Sequence, residues 1–394
     1  MSNNFENNLD ENRRLPANDK KKTQGLFLKG KFDPVFLLLV LSLLAIGLIC
    51  LFSSSYAYAL ENYDNAYHFI SRQAVFAVFG VLIMFVVSKL NYNIYRKFAW
   101  VIYIVAIALL IIVLLMPAYY DGFNKRWFSL GGFSFQPSEV AKFAVILLFA
   151  HLISKYKDRM QTFKFGVFQL GALLMVVCAL VVIEPHLSAT LLIFAIGASL
   201  MFIGGMKKSF VISALVIAGV GAAVMIVSGV VGYGAARITS WLDPWSDARG
   251  AGWQITQSLM AIGSGGLFGV GLGESTQKYL WVPEPQNDFI FSIVCEELGL
   301  VGAVGIMILF ALLVWRGFVI ATRAKDRFST LLAIGLTIQV GLQAALNIMV
   351  VTNTIPNTGI SLPFFSYGGT SLIMLLIQMG IILSVSRQAK VTKN

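Results

Sequence analysis

The segment Pro283-Glu284-Pro285-Gln286-Asn287-Asp288-Phe289-Ile290-Phe291-Ser292 puts two carboxylates at the lip of a long apolar run, and a second acidic pair, Glu296-Glu297, lies inside that run. A carboxylate within hydrogen-bond reach of a hydroxyl can act as a general base. Asp288 is the first candidate, because it closes a polar loop and opens the apolar run. An acid there could equally cap a helix, where free N–H groups and the dipole favour it. Glu284 is the weaker candidate, flanked by prolines and further from the run. Glu296 and Glu297 project about 100° apart on a helix, whereas the eight-residue step from Asp288 returns Glu296 near the same face. Ionisable groups at that depth are costly and face protein or water. Glu296 is therefore a candidate for the cavity that Asp288 faces, with a structural carboxylate paired to a neighbouring helix as the alternative.

Lys142 is the informative cation, the one basic residue placed within an apolar run. Glu139 stands three residues before it, on one helical face, and Pro137 suits a helix's first turn. The pair is either a local ion bridge or a cation aimed into a cavity to hold a phosphate or leaving group. Arg126, Arg237, Arg249 and Lys278 add positive charge to the polar loops at the same end. Several cations around a polar cavity suit an anionic lipid headgroup, pyrophosphate above all, since guanidinium groups bind phosphate oxygens in bidentate fashion.

Other chemistries find no support. His68, His151 and His186 are widely separated, and neither HExxH nor GxSxG occurs. Cys50, Cys178 and Cys295 sit in or beside apolar runs without a CxxC, which reads as packing. The run Gly263-Ser264-Gly265-Gly266-Leu267-Phe268-Gly269-Val270-Gly271-Leu272-Gly273 lacks a following GK[ST]. It reads as a tight re-entrant or surface loop, not a nucleotide cradle.

The elements that must position these residues are membrane helices. The 394 residues are 57% hydrophobic and 12% charged, with a mean hydropathy of +0.77. That composition excludes an ordinary soluble domain. Continuous apolar runs, long enough to cross a bilayer, argue for helices and against a membrane barrel. The expected fold is all-α and polytopic, with ten spans near 34–53, 70–88, 97–116, 138–154, 166–183, 188–204, 209–231, 289–315, 328–351 and 370–386. With the N-terminal tail inside, the inner segments hold 23 Lys and Arg and the outer loops 6, with Lys142 in a span. That asymmetry places both termini in the cytoplasm. It also explains the +11 net charge without nucleic acid. Residues 1–32 are expected to be a polar, disordered tail, 33–386 the membrane domain and 387–394 a second cytoplasmic tail. The outer loops near 117–138, 232–288 and 352–369 carry the Gly, Pro and aromatic punctuation of functional loops.

Several segments together resemble the SEDS family of bacterial shape, elongation, division and sporulation proteins. They are RWFSLGGFSFQPSEVAK (126–142), ARITSWLDPW (236–245), GGLFGVGLGES (265–275), VPEPQNDFIFSIVCEELGLVG (282–302) and PNTGISLPFFSYGGTSL (356–372). The similarity covers residues 33–386. It implies ten spans with both termini inside the bacterial cell membrane. It also implies polymerisation of lipid II into glycan strands at the outer face, beside a class B penicillin-binding protein and other division proteins. The family's essential loop aspartate falls on Asp288, its cavity acid and lysine on Glu139 and Lys142, and its loop arginine on Arg237. Two segments depart from the family pattern: Gln286-Asn287 replaces the common His-Thr before the aspartate, and Glu184-Pro185-His186-Leu187-Ser188 lacks the usual residues after Glu-Pro. The polar tail and the SYGGTSL ending resemble the division or sporulation members, with the elongation member as the alternative.

The resemblance implies an inverting glycosyl transfer. Asp288 would take the acceptor's proton, and Lys142, Arg237 and Arg126 would offset charge on the departing pyrophosphate. Glu139 would orient Lys142 or join a magnesium or manganese site, a cation that prefers oxygen ligands. The competing classes are a lipid II flippase and a noncatalytic scaffold for the penicillin-binding protein. Charged loops concentrated at one face favour the enzyme over an alternating-access carrier.

Overall fold

The first helix, α1 (Pro34–Tyr63), starts where its sequence provides a start signal: Asp33 accepts the Phe36 N–H and Pro34 occupies the first turn. The computed structural model describes residues 30–116, 126–130, 133–184, 186–207, 209–210, 238–279 and 281–388. After α1 come α2 (His68–Lys89), one turn of helix at Asn93–Lys97, and α3 (Ala99–Leu115). A two-stranded antiparallel hairpin, β1 (Phe128–Leu130) and β2 (Phe133–Phe135), leads into α4 (Pro137–Lys155). A π-helical entry at Phe163–Gln169 runs into α5 (Leu170–Ile183), and α6 (Leu187–Ile203) follows. Then come α7 (Trp253–Ser264), α8 (Ile290–Thr322), α9 (Arg327–Val351) and α10 (Gly369–Arg387).

Among the described residues, seven helices are long and apolar enough to cross a membrane, and α3 and α6 are shorter apolar helices. These correspond to nine of the ten expected spans. The seventh, near 209–231, lies outside the described residues apart from its first two positions, as does the tail before residue 30. The all-α expectation holds for the spans; the hairpin before α4 is the one strand pairing among the described residues.

α4 is the central helix. Residues 141–150 are all buried, and a helix enclosed on every side can carry polar groups into the protein interior. Elsewhere small residues set the packing. A Cβ on Gly80 would meet the Leu376 side chain at 2.5 Å, and one on Gly380 would meet the Met84 carbonyl at 2.7 Å. This close approach of α2 and α10 is how membrane helices gain contact without a hydrophobic driving force. At the end away from the acidic loop, Arg316 grips Asp33 through Nε and Nη2 at 2.7–3.1 Å. Asp326 closes a capping box with Ser329 at the start of α9 and accepts the Tyr92 hydroxyl at 2.7 Å.

Two loops fold back between the helices. The first is the glycine-rich run after α7. Gly299 in α8 has φ 66 and ψ −171, a conformation open essentially to glycine alone. In an unbroken helix the carbonyls of residues 296 and 297 would accept from the N–H groups of residues 300 and 301. Here Val270 and Gly271 donate to those two carbonyls, at 3.0 Å each, while Leu300 and Val301 donate to Gly266 and Leu267 at 3.0 and 3.1 Å. Four bonds to the loop replace these two, so the carbonyls of Glu296 and Glu297 and the N–H groups of Leu300 and Val301 all keep partners. The splice requires glycine on both sides: a Cβ on Gly269 would lie 2.1 Å from the Glu297 carbonyl oxygen. It sits roughly 9–16 Å into α8 at 1.5 Å per residue. The exposed tip residues Leu267, Phe268, Val270 and Leu272 are apolar.

The second loop, 352–368, dips to the middle of α1, where a Cβ on Gly47 would lie 2.3 Å from the Phe364 carbonyl oxygen.

Candidate active site

Asp288 stands one residue before Phe289, the N-cap of α8. It lies at the first turn of that helix, with its carboxylate at the cavity. Its main chain is gripped from α9 and from the second loop. The buried Asn347 side chain donates to the carbonyls of Asp288 at 2.7 Å and Ile360 at 2.6 Å. Ser366 Oγ donates to the Asn287 carbonyl at 2.7 Å, and the Tyr367 N–H to the Gln286 carbonyl at 2.8 Å. Gly359, at φ +66, lies against the Asp288 carboxylate, and a Cβ there would be 3.0 Å from Oδ2.

Lys142 Nζ donates to Glu139 Oε1 at 2.8 Å, with both side chains nearly buried. Gln343 accepts from the same ammonium at 3.4 Å, and its amide donates to the Ser361 carbonyl at 3.1 Å. Gln343 and Asn347 are four residues apart on one face of α9. That face ties the lysine of α4 to the loop that flanks Asp288.

The third wall comes from the hairpin and the link between α5 and α6. Gln136, the N-cap of α4, places its amide nitrogen 3.4 Å from His186 Nδ1. Burial, aided by the positive field of Arg126 and Lys142, pushes the His186 imidazole down to about 3. Glu184 is wholly buried, and neither carboxyl oxygen has a hydrogen-bond partner among the described residues. Burial pushes it up to about 7, with Arg126 pulling the other way.

These walls enclose a cavity of about 560 Å³, lined by Arg126, Glu139, Lys142, His186 and Asp288, together with Gln343, Gly359 and Ser361. Four of the expected site residues, from three distant segments, thus share one cavity. Glu296 does not line it, so the expected shared face with Asp288 is corrected. Its carboxylate accepts from Ser275 Oγ at 2.5 Å, from the Thr276 N–H and hydroxyl at 2.9 and 3.0 Å, and from the Gln277 N–H at 3.3 Å. It is 1% exposed and anchors the re-entrant loop. Lys278, expected as loop charge for a headgroup, is instead buried against Glu297 at 3.0 Å. Arg249 is exposed and outside the lining, and Arg237 lies outside the described residues. Among the described residues, no group of three or more His, Cys, Asp or Glu converges as a metal site. Glu139 is engaged by Lys142, while Asp288 and Glu284 also line the cavity, so a magnesium or manganese ion there would draw most of its oxygen ligands from substrate phosphates and water.

Sequence reasoning missed Gln343, Asn347, Ser361 and Gly359, and set His186 aside for want of a partner. A signal was present in Gln339, Gln343 and Asn347, amides at four-residue spacing in an otherwise apolar run, because polar groups at such depth must meet protein or water.

The fold and cavity define a multi-pass helical membrane protein whose polar site opens beside re-entrant loops. Residues 34–391 match the family model of the cell cycle proteins FtsW, RodA and SpoVE, and the chain belongs to that family. It is 37% identical over 360 residues to stage V sporulation protein E of Bacillus subtilis, covering 91% of this chain and 98% of that one. It is 36% identical over 362 residues to a probable peptidoglycan glycosyltransferase FtsW of a Geobacter species, covering 91% and 98%. Among solved structures, it resembles a chain from a peptidoglycan synthase complex that coordinates polymerization and crosslinking. That match has a TM-score of 0.76 at 26% identity and covers 90% of this chain and 98% of the other. The rod shape determining protein RodA of Thermus thermophilus aligns with a TM-score of 0.67 at 26% identity, covering 91% and 98%.

Proposed function

We propose that this chain is a peptidoglycan glycosyltransferase that polymerises lipid II at the outer face of the bacterial cell membrane during division, paired with a class B penicillin-binding protein. The observation that carries this reading is the convergence of Asp288, Glu139, Lys142 and Arg126 on one cavity. The relatives named as probable glycosyltransferases support the reaction class, and the neighbour from a synthase complex supports the partner. The excess of basic residues at the opposite end supports cytoplasmic termini and an outward-facing cavity.

In this mechanism the acceptor is the GlcNAc 4-hydroxyl of lipid II, and the donor is the MurNAc anomeric carbon of the growing strand. As the hydroxyl oxygen attacks C1, Asp288 takes its proton. The bond from C1 to the diphosphate oxygen breaks with inversion, and polyprenyl diphosphate leaves with that electron pair. Lys142 and Arg126, together with Arg237, stabilise the charge gathering on the leaving group. Glu139 aims the Lys142 ammonium. Asn347 and Gly359 set where the Asp288 carboxylate stands. A cavity between helices lets both prenyl tails remain in the bilayer while the headgroups react.

The test is polymerisation of purified lipid II by the detergent-solubilised complex with its class B partner, comparing wild type with Asp288→Asn. Glycan polymer from wild type alone supports both reaction and site. Polymer from both at equal rate refutes the role of Asp288, and flipping of lipid II without polymer refutes the enzyme.

A further inference from the structure

We propose that the start of α6 is the diphosphate pole of the cavity, with His186 as a substrate-binding residue whose Nε2–H donates to a phosphate oxygen of a polyprenyl diphosphate. The inference rests on the glycosyltransferase reading and adds the position and chemistry of one subsite.

Four observations converge on it. His186 lines the same cavity as Arg126 and Lys142. The side-chain nitrogen of Gln136 faces Nδ1 at 3.4 Å. An amide nitrogen can only donate, so Nδ1 accepts and the proton of the neutral ring sits on Nε2. His186 is also the N-cap of α6 and makes no side-chain cap bond. The first N–H groups of a helix have no acceptor within it, and Ser188 and Ala189 of that first turn line the cavity too. A helix N-terminus that shares its cavity with two cationic side chains is a favourable place for a phosphate. Finally, the charges are segregated. Asp288 and Glu284 come from the α8 side, whereas Arg126, Lys142 and His186 come from the hairpin, α4 and α6. Of the acids on that side, Glu139 is held by Lys142, and Glu184 is buried outside the lining with burial pushing it up to about 7.

A substrate pair with a hydroxyl to deprotonate and a diphosphate to release matches that polarity. The field of Arg126 and Lys142 that disfavours a proton on His186 also attracts an anion. A neutral N–H donor completes such a subsite without adding repulsion to its empty state.

The experiment measures binding of undecaprenyl diphosphate and undecaprenyl monophosphate to the full-length protein in detergent, for wild type, His186→Leu and His186→Gln. Loss of a hydrogen bond to a charged group should weaken diphosphate binding by His186→Leu about tenfold, or ~1.4 kcal/mol. The monophosphate should lose less. His186→Gln keeps an N–H donor and should stay within about threefold of wild type. In lipid II turnover, His186→Leu should raise KM far more than it lowers kcat. The proposal is overturned if His186→Leu binds the diphosphate as wild type does. It is also overturned if both variants lose affinity equally together with their unfolding temperature, the mark of a structural role. Wild type that binds diphosphate yet makes no polymer would sink the glycosyltransferase reading, while the variants' affinities would still decide this subsite.

Discussion

Lys278 and Glu297 offer the sharpest test of how the site is held. Both side chains are 2% exposed. Lys278 Nζ donates to Glu297 Oε1 at 3.0 Å, to the Gly273 carbonyl at 2.5 Å and to Ser53 Oγ at 3.4 Å, and Ser53 Oγ in turn donates to Glu297 Oε1 at 2.5 Å. The pair locks the re-entrant loop onto α8, the helix that begins just after Asp288. Lys278→Met removes the ammonium and leaves a carboxylate with one hydroxyl for company. Breaking a buried pair in this way costs about 3–5 kcal/mol, because the remaining charge is stranded. Replacing both partners removes the stranded charge as well. Lys278→Met/Glu297→Gln should therefore cost less than the two single changes summed, by about 1–3 kcal/mol of coupling. Unfolding of the purified protein in mixed micelles, run as a double-mutant cycle, measures this. Lipid II turnover on the same samples shows whether the loop's hold reaches Asp288. Additivity within about 0.5 kcal/mol would refute the view that these two charges stabilise one another across the splice.

The other expectations concern backbone, amide and acid. Gly269→Ala puts a methyl group 2.1 Å from the Glu297 carbonyl oxygen at φ +80, so it should open the splice and raise deuterium uptake at Val270, Gly271, Leu300 and Val301; unchanged uptake refutes the splice. Asn347→Leu removes two donors to Asp288 and Ile360. It should lower kcat about five- to 150-fold, if the about 1–3 kcal/mol for carbonyls left unsatisfied falls on the placing of the base, with KM little changed; a normal kcat means Asn347 does not position the aspartate. For Glu184, the fold raises the pKa from 4.5 to about 7. The native carboxyl therefore keeps its proton while the unfolded chain releases it, so stability falls as pH rises from 4.5 to 7 and the deficit is complete above that. Glu184→Gln should gain unfolding temperature over wild type at pH 8 and little at pH 5; a gain independent of pH refutes this.

Much of the architecture was legible because membrane solubility writes itself along the chain. A bilayer demands long apolar runs with internally satisfied backbone, so nine described spans fall where the runs are. Lys142 and Glu139 were equally legible, since three residues on a helix always share a face, and charge is rare at that depth. Asp288 could be singled out by position, but position alone left base and cap open. Only the fold set Gly359 against the carboxylate and Asn347 on the Asp288 carbonyl.

The limit shows most plainly in Glu296 and Lys278. Periodicity placed Glu296 near the Asp288 face, and the loop charge made Lys278 a headgroup ligand. Both failed for one reason: the loop after α7 closes on α8, so that Ser275, Thr276 and Gln277 take up Glu296 and Lys278 of the same loop meets Glu297. Local spacing determines which side chains share a face of one element. Which distant segment closes on that face depends on packing, loop return and hydrogen-bond replacement, and these are properties of the tertiary structure. The sequence by itself determined the spans, the polar lip and the Glu139–Lys142 pair. The tertiary structure decided which charges meet in the cavity, which are spent in holding the loop, and that His186 stands among the cations.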